Sequence, residues 1–86
     1  MEAAALSEGL PAEAARTLVL ETVLGAARML TESGEDPAEL RRRVTSPGGT
    51  TQAAVETFEA GGFRDLVASA IRNATERGRQ LSAAND

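Results

Sequence analysis

Apolar side chains recur at helical spacing in two long segments, one in each half of the chain. In the first segment, residues 11 to about 33, positions three and four apart form one apolar face, and Leu20 and Leu24 add a second flank. Pro11 suits a first helical turn and Gly34 suits a C-terminal stop. A helix that is apolar around most of its circumference is normally buried. Because a chain this short offers little to bury it against, we expect a second copy to cover it.

The second long segment, residues 63 to about 83, carries one continuous apolar stripe. Its small residues Ala70, Ala74 and Gly78 are spaced by four. This spacing allows either the close approach of another helix or a thin edge of a core. We expect the last residues, from Ser82 onward, to fray.

Shorter helices complete the pattern, and no stretch alternates as a strand would. An alanine-rich opening ends at a glycine and a proline. Asp36 is predicted to cap a helix over residues 37 to about 45, with Glu39 at the capping-box position. Another helix is predicted over residues 51 to 60. The pattern therefore predicts one all-α domain over residues 1–86, a helical bundle.

Composition narrows the possible chemistry. The 86 residues carry a net charge of −4 and contain no histidine, cysteine, tyrosine, tryptophan or lysine. A negative chain is a poor non-specific nucleic-acid binder, and without cysteine or histidine we expect no metal site. No apolar run has the length of a membrane span or the form of a secretion signal, so we expect no membrane partner and a cytoplasmic location. If this chain takes part in catalysis, we expect it to bind and position a substrate, while a cofactor held elsewhere supplies the reactive group.

A short basic run, Arg41-Arg42-Arg43, offers a different hypothesis, that of a DNA-binding helix-turn-helix protein. Three consecutive residues on a short helix point in different directions, and the chain is acidic overall. The proline-glycine-glycine connector also differs from the short turn of that motif. We therefore expect these arginines to form salt bridges or a solvated face.

The stretch with the most distinctive chemistry lies between the predicted helices in mid-chain. It reads Ser46-Pro47-Gly48-Gly49-Thr50-Thr51. Its serine is pushed towards an extended conformation by the proline, and its glycines permit positive φ. Thr50 or Thr51 is predicted to be the N-cap of the next helix. Free N–H groups at such a helix start suit a carboxylate or a phosphate, although the same residues also make a plain connector.

This stretch, with its surroundings, resembles the signature region of the pyrroline-5-carboxylate reductases. The resemblance is carried by Val44-Thr45-Ser46-Pro47-Gly48-Gly49-Thr50-Thr51, Ala54-Val55, Phe58-Glu59 and Gly61-Gly62-Phe63-Arg64. Upstream, Gly9-Leu10-Pro11, Val23-Leu24-Gly25-Ala26-Ala27 and Gly34-Glu35-Asp36-Pro37 follow in the family's order. The resemblance covers nearly the whole chain.

The resemblance implies the C-terminal dimerisation domain of such an enzyme. Family members reduce 1-pyrroline-5-carboxylate to L-proline with NADPH or NADH, and their helical domains interlock as a homodimer that can assemble further. The nicotinamide cofactor is held mainly by an N-terminal dinucleotide-binding domain, which we expect this chain to lack. We therefore expect no reductase activity from this chain alone. The alternative is a stand-alone helical dimerisation module without a ligand.

The resemblance also implies roles for individual residues. The Ser46 hydroxyl and the backbone N–H groups of Gly49, Thr50 and Thr51 would bind the substrate carboxylate. Thr51 matches the family's catalytic threonine, whose hydroxyl orients the imine or helps to deliver the proton. Glu35 matches a position near the substrate pocket. Without a ligand, Thr51 would be no more than an N-cap.

Overall fold

The computed structural model describes residues 1–85, which form five α-helices. The helices are α1 Glu2–Ser7, α2 Ala12–Ser33, α3 Pro37–Val44, α4 Thr50–Ala60 and α5 Phe63–Asn85. No strand occurs within this part of the chain, so the all-α prediction is confirmed. The last helix reaches Asn85, two residues beyond its predicted end. The prediction that the chain frays from Ser82 onward is therefore wrong for residues 82–85, which are helical, and for Asp86 it falls outside the described residues.

The helices group into two compact units. The first unit is Met1–Val44, in which α2 contacts both α1 and α3. The second unit begins at Thr45, and in it α4 contacts α5. The rings of Phe58 and Phe63 lie 5.0 Å apart, centroid to centroid, and join these two helices across the turn at Gly62, which has a φ of 75°. The organisation of residues 1–86 as one domain stays a prediction.

The ends of the helices in the first unit follow the local sequence. Pro11 precedes α2 in an extended conformation, and its carbonyl accepts the Ala15 N–H at 2.8 Å. Gly34 ends the same helix with a φ of 69°, which glycine adopts without strain. At the start of α3, Asp36 Oδ1 accepts the Ala38 N–H at 3.2 Å, which confirms the predicted cap.

Burial is slight in both units. Ala15 is the only fully buried residue among those whose exposure the structure describes. On α2, Leu20 is 55% exposed and Leu24 is 50% exposed, and on α5 Ile71 is 62% exposed. Covering the exposed half of one such side chain is worth about 1 kcal/mol. A single copy of the chain thus leaves apolar side chains of both α2 and α5 exposed. For α2, the apolar pattern of residues 11 to about 33 indicated this exposure.

Within the part of the chain that the structure describes, no helix combines the length and the apolar character needed to cross a membrane.

Candidate functional site

The proline-glycine-glycine stretch forms a tight turn directly before α4. The Gly49 N–H donates to the Ser46 carbonyl at 3.0 Å and closes a four-residue β-turn. Pro47 is the second residue of this turn, and Gly48 is the third, with a φ of 74°. This combination defines a type II turn, which needs positive φ at its third position. The dipeptide Pro47-Gly48 therefore determines the type of this turn.

Gly49 is the N-cap of α4. Its backbone is extended, with φ −86° and ψ 177°, and no side chain among the described residues caps the helix start. The prediction that Thr50 or Thr51 is the N-cap is therefore wrong, because both threonines already belong to the helix. The type II turn delivers an extended residue at Gly49, and glycine is well accepted at this position. A Cβ on Gly49 would lie 3.1 Å from the Ser46 carbonyl oxygen, so a side chain at this position would require that carbonyl to shift.

The first turn of α4 leaves backbone donors unused. The helix's hydrogen-bond ladder begins with the Ala53 N–H, which donates to the Gly49 carbonyl at 3.2 Å. The preceding amides, of Thr50, Thr51 and Gln52, have no acceptor among the described residues. A helix start always leaves such donors, and the helix dipole adds positive potential there. These amides form a site suited to a small anion.

Three hydroxyl groups accompany these amides. The side chains of Ser46, Thr50 and Thr51 make no hydrogen bond within residues 1–85. By contrast, the Thr57 hydroxyl, further along α4, donates to the Ala53 carbonyl at 2.9 Å. Thr51 is half-buried, whereas Ser46 and Thr50 are exposed. The hydroxyls beside the turn are therefore available to a ligand, and that of Thr51 is partly shielded from water.

The turn is held by a residue that sequence analysis missed. The side chain of Gln52 reaches back four residues, and its Oε1 accepts the Gly48 N–H at 2.5 Å. Gln52 lies three residues after the N-cap Gly49, where a capping box places glutamate or glutamine. The available signal was the glutamine three residues after Gly49. With a threonine as N-cap, as side-chain preference predicts, this glutamine would not fall at the capping-box position.

Glu35 belongs to the first unit, and its charge is already paired. Its Oε2 atom is shielded from solvent and lies 2.7 Å from Arg43 Nη1. The contact is an ion pair, although its angles are not those of a hydrogen bond. Four of the predicted site residues thus lie together, Ser46 and Gly49 in the turn and Thr50 and Thr51 in the first turn of α4. Glu35 lies in the other unit, beside Arg43.

Glu39 connects two of the arginines on α3. Its carboxylate accepts hydrogen bonds from Arg42 Nε at 2.9 Å and from Arg43 Nε at 3.3 Å. The hydrogen bond from Arg42 is the main cause that lowers the pKa of Glu39, and the charge of Arg43 adds to it. The predicted capping box is therefore incomplete, because this carboxylate binds arginines. The expectation of salt bridges is confirmed for Arg42 and Arg43.

No cluster of three or more acidic, histidine or cysteine side chains within residues 1–85 is arranged to hold a metal ion.

The half-exposed apolar helices place this protein in a class of all-helical domains that complete their cores by association. Among protein-family models, the one for pyrroline-5-carboxylate reductase dimerisation matches residues 1–81. The chain belongs to this family, which confirms the resemblance found in its sequence.

Curated relatives carry the same name. A pyrroline-5-carboxylate reductase of Pseudomonas aeruginosa is 53% identical over 74 residues, which cover 86% of this chain and 27% of that protein. One from Pisum sativum is 49% identical over 77 residues, or 90% of this chain and 28% of that protein. Pyrroline-5-carboxylate reductase 2 of Bacillus subtilis is 38% identical over 81 residues, which cover 94% of this chain and 29% of that protein. The chain spans less than a third of the length of these relatives.

Proposed function

We propose that this chain is the dimerisation and substrate-binding domain of a reductase that converts 1-pyrroline-5-carboxylate to L-proline. The family match and the names of the relatives support this proposal. The observation that carries it is the row of unpaired amides at Thr50, Thr51 and Gln52, which opens directly after the proline-glycine-glycine turn. The substrate is a small carboxylate, the kind of ligand that a helix start favours.

The proposed carboxylate site uses backbone dipoles rather than charged side chains. The amides of Thr50, Thr51 and Gln52 would donate to the carboxylate oxygens, and the exposed Ser46 hydroxyl would add a donor. The Gly49 N–H was expected to bind the carboxylate as well, but it donates to the Ser46 carbonyl at 3.0 Å and closes the turn. The lack of a side chain on Gly49 lets the ligand approach the backbone closely. Oriented amides explain how a chain with a net charge of −4 would hold an anion.

For Thr51 we propose the catalytic role. Reduction of the imine adds a hydride to carbon and a proton to nitrogen. The chain has no histidine, lysine or tyrosine that could provide this proton. The half-buried Thr51 hydroxyl makes no hydrogen bond to the described part of the protein, so it is free to orient the imine nitrogen or to pass it a proton.

For Glu35 we propose a position near the substrate pocket, as the resemblance implies. Its carboxylate is neutralised by Arg43 at 2.7 Å. A carboxylate in direct contact with the substrate carboxylate would repel it, and pairing with an arginine reduces that repulsion.

The relatives imply a nicotinamide cofactor, and we propose NADPH or NADH. The described residues do not fit this group, because a dinucleotide site is normally built on a strand, a glycine-rich loop and a helix, and residues 1–85 contain no strand. We therefore propose that a separate dinucleotide-binding domain holds it, and that the present chain, assayed alone, shows no turnover. A cytoplasmic location stays a prediction.

The proposed partner is a second copy of the chain, with larger assemblies built from dimers. The exposed apolar faces of α2 and α5 support this. The test combines the solution mass, by light scattering across a dilution series, with a titration of L-proline followed by the amide signals of Thr50, Thr51 and Gln52. We expect a mass of twice 8.9 kDa that persists on dilution, with saturable shifts at these amides. A stable dimer without shifts would favour the module without a ligand, and a monomer without shifts would contradict both readings.

A further inference from the structure

We propose that Gln52 is a positioning residue for the carboxylate site, a role that rests on the function proposed above. Gln52 contributes to the turn twice. Its backbone N–H is one of the unpaired amides of α4, and its side-chain Oε1 accepts the Gly48 N–H at 2.5 Å. One residue thus connects the donors of the site to the loop that precedes them.

The hydrogen bond selects which amides face a ligand. The Gly49 N–H is used inside the turn, where it donates to the Ser46 carbonyl. The Gly48 N–H has no backbone acceptor within residues 1–85, and without Gln52 it would be a further donor beside the helix start. Gln52 occupies it, so an anion is left with the amides of the first helical turn. The site is thereby restricted to donors on the rigid element rather than on the loop.

The same hydrogen bond restrains the loop before a ligand arrives. The side chain of Gln52 closes a ring from the first turn of α4 back to Gly48, the residue with a φ of 74°. Gln52 is also half-buried, which limits its freedom further. A loop that is already held in its bound conformation loses less entropy on binding, so its ligand binds more tightly. Gln52 acts in this way through the backbone and is not itself a catalytic residue.

Two substitutions separate this role from a general effect on the helix. Gln52→Met has a similar helix propensity and a similar length, but it lacks the acceptor. Gln52→Glu retains an acceptor for the Gly48 N–H. Gln80→Met is the matched control, because Gln80 also accepts a side-chain hydrogen bond, from Arg77 Nη1 at 3.2 Å, on α5. All variants are compared in the 86-residue chain. Because glutamate adds a negative charge beside the proposed anion site, Gln52→Glu is compared with Gln52→Met by the exchange rate of the Gly48 amide.

Two quantities are measured by nuclear magnetic resonance: the hydrogen-exchange rate of the Gly48 amide and the Kd for L-proline. We expect Gln52→Met to speed exchange at Gly48 and to raise the Kd by about fivefold, the value of one net hydrogen bond. Gln52→Glu should restore slow exchange at Gly48, because it keeps the acceptor. Gln80→Met should change neither the exchange rate nor the Kd. Proline binding by the wild type that Gln52→Met leaves unchanged would overturn the role of Gln52 alone. No binding by the wild type would overturn the proposed carboxylate site, and the role of Gln52 with it.

Discussion

The carbonyl oxygen of Ser46 lies 3.0 Å from the amide nitrogen of Gly49, and 3.1 Å from the point where a Cβ on Gly49 would stand. The carbonyl that closes the turn therefore also leaves little room for a side chain at the N-cap of α4. Any larger residue at this position must push the Ser46 carbonyl away and, with it, loosen the turn that aligns the amides of the helix start.

We therefore predict that Gly49→Ala destabilises the domain by about 1 kcal/mol, as a small overpacking does, and weakens the binding of L-proline. Gly61→Ala is the matched control. Gly61 also lies at an end of α4, with a φ of −83°, and its Cβ would be at an ordinary 3.4 Å from the Thr57 carbonyl. Chemical denaturation gives the free energy of unfolding, and titration gives the Kd. Equal effects of the two substitutions would show that the close approach at Ser46 is unimportant.

The main features of the fold were predictable because they depend on local patterns. Helical spacing, the proline at residue 11 and the glycine at residue 34 together located α2 to within one residue. The exposure of its second flank was predictable from the same pattern, since one short chain has too few apolar residues to cover it. Both features follow from the amino-acid composition and from the helical spacing of apolar residues, which can be read from a single sequence.

The candidate site was predictable in its location but not in its geometry. The choice of Gly49 rather than a threonine as N-cap depends on the turn before it, because the type II turn at Gly48 places the extended residue one position earlier than side-chain preference suggests. That shift turned Thr50 and Thr51 into donors of the first helical turn. It also placed Gln52 where its side chain meets the Gly48 amide. The preferences of single residues therefore do not predict which residue becomes the N-cap.

Thr51 gives a prediction about catalysis in a complete reductase that contains this domain. Thr51→Val keeps the branched shape and removes the hydroxyl, so we expect kcat/KM to fall by about a hundredfold, the lower range for loss of a proton donor. Thr51→Ser should retain most of the activity. The control is Thr57→Val, on the same helix, which removes a hydroxyl that donates to the Ala53 carbonyl at 2.9 Å. If Thr51→Val and Thr57→Val behave alike, the hydroxyl of Thr51 has no catalytic role.

Glu39 gives a prediction about pH. The hydrogen bond from Arg42 and the charge of Arg43 lower the pKa of this carboxyl in the folded chain. The folded state therefore binds this proton less readily than the unfolded state does. The resulting stabilisation of α3 is complete above the unfolded pKa and is lost as the pH falls through the lowered, folded pKa. Because the pair is on the surface, the effect on stability should be small.

The measurement is a pH titration of the Glu39 side-chain carboxyl carbon by nuclear magnetic resonance. Arg42→Gln should move the midpoint up, since it removes the largest cause of the lowered pKa. Arg43→Gln should move it up by less. A midpoint that is insensitive to Arg42 would show that the hydrogen bond at 2.9 Å is not maintained in solution.

The last prediction concerns the two apolar faces of α2. Val23, on the first face, is 53% exposed, and Leu24, on the second flank, is 50% exposed. If a second copy covers both faces, an aspartate at either position would be buried without a partner, which costs several kcal/mol in the dimer and nothing in the monomer. We expect Val23→Asp and Leu24→Asp each to raise the dimer dissociation constant at least about a hundredfold. Helical content at high protein concentration should fall with dissociation, because little else buries these helices.

Arg28→Gln is the control for this experiment. Arg28 lies on the polar strip of the same helix, where its guanidinium is 3.7 Å from Glu32 and its side chain is 67% exposed. Removing an exposed ion pair of this kind changes stability little, so the dissociation constant should stay close to that of the wild type. Light scattering and sedimentation across a dilution series measure the constant for all variants. Dissociation by only one of the two aspartates would mean that the partner covers a single face of α2. Dissociation by neither would contradict the burial of these two positions by a second copy.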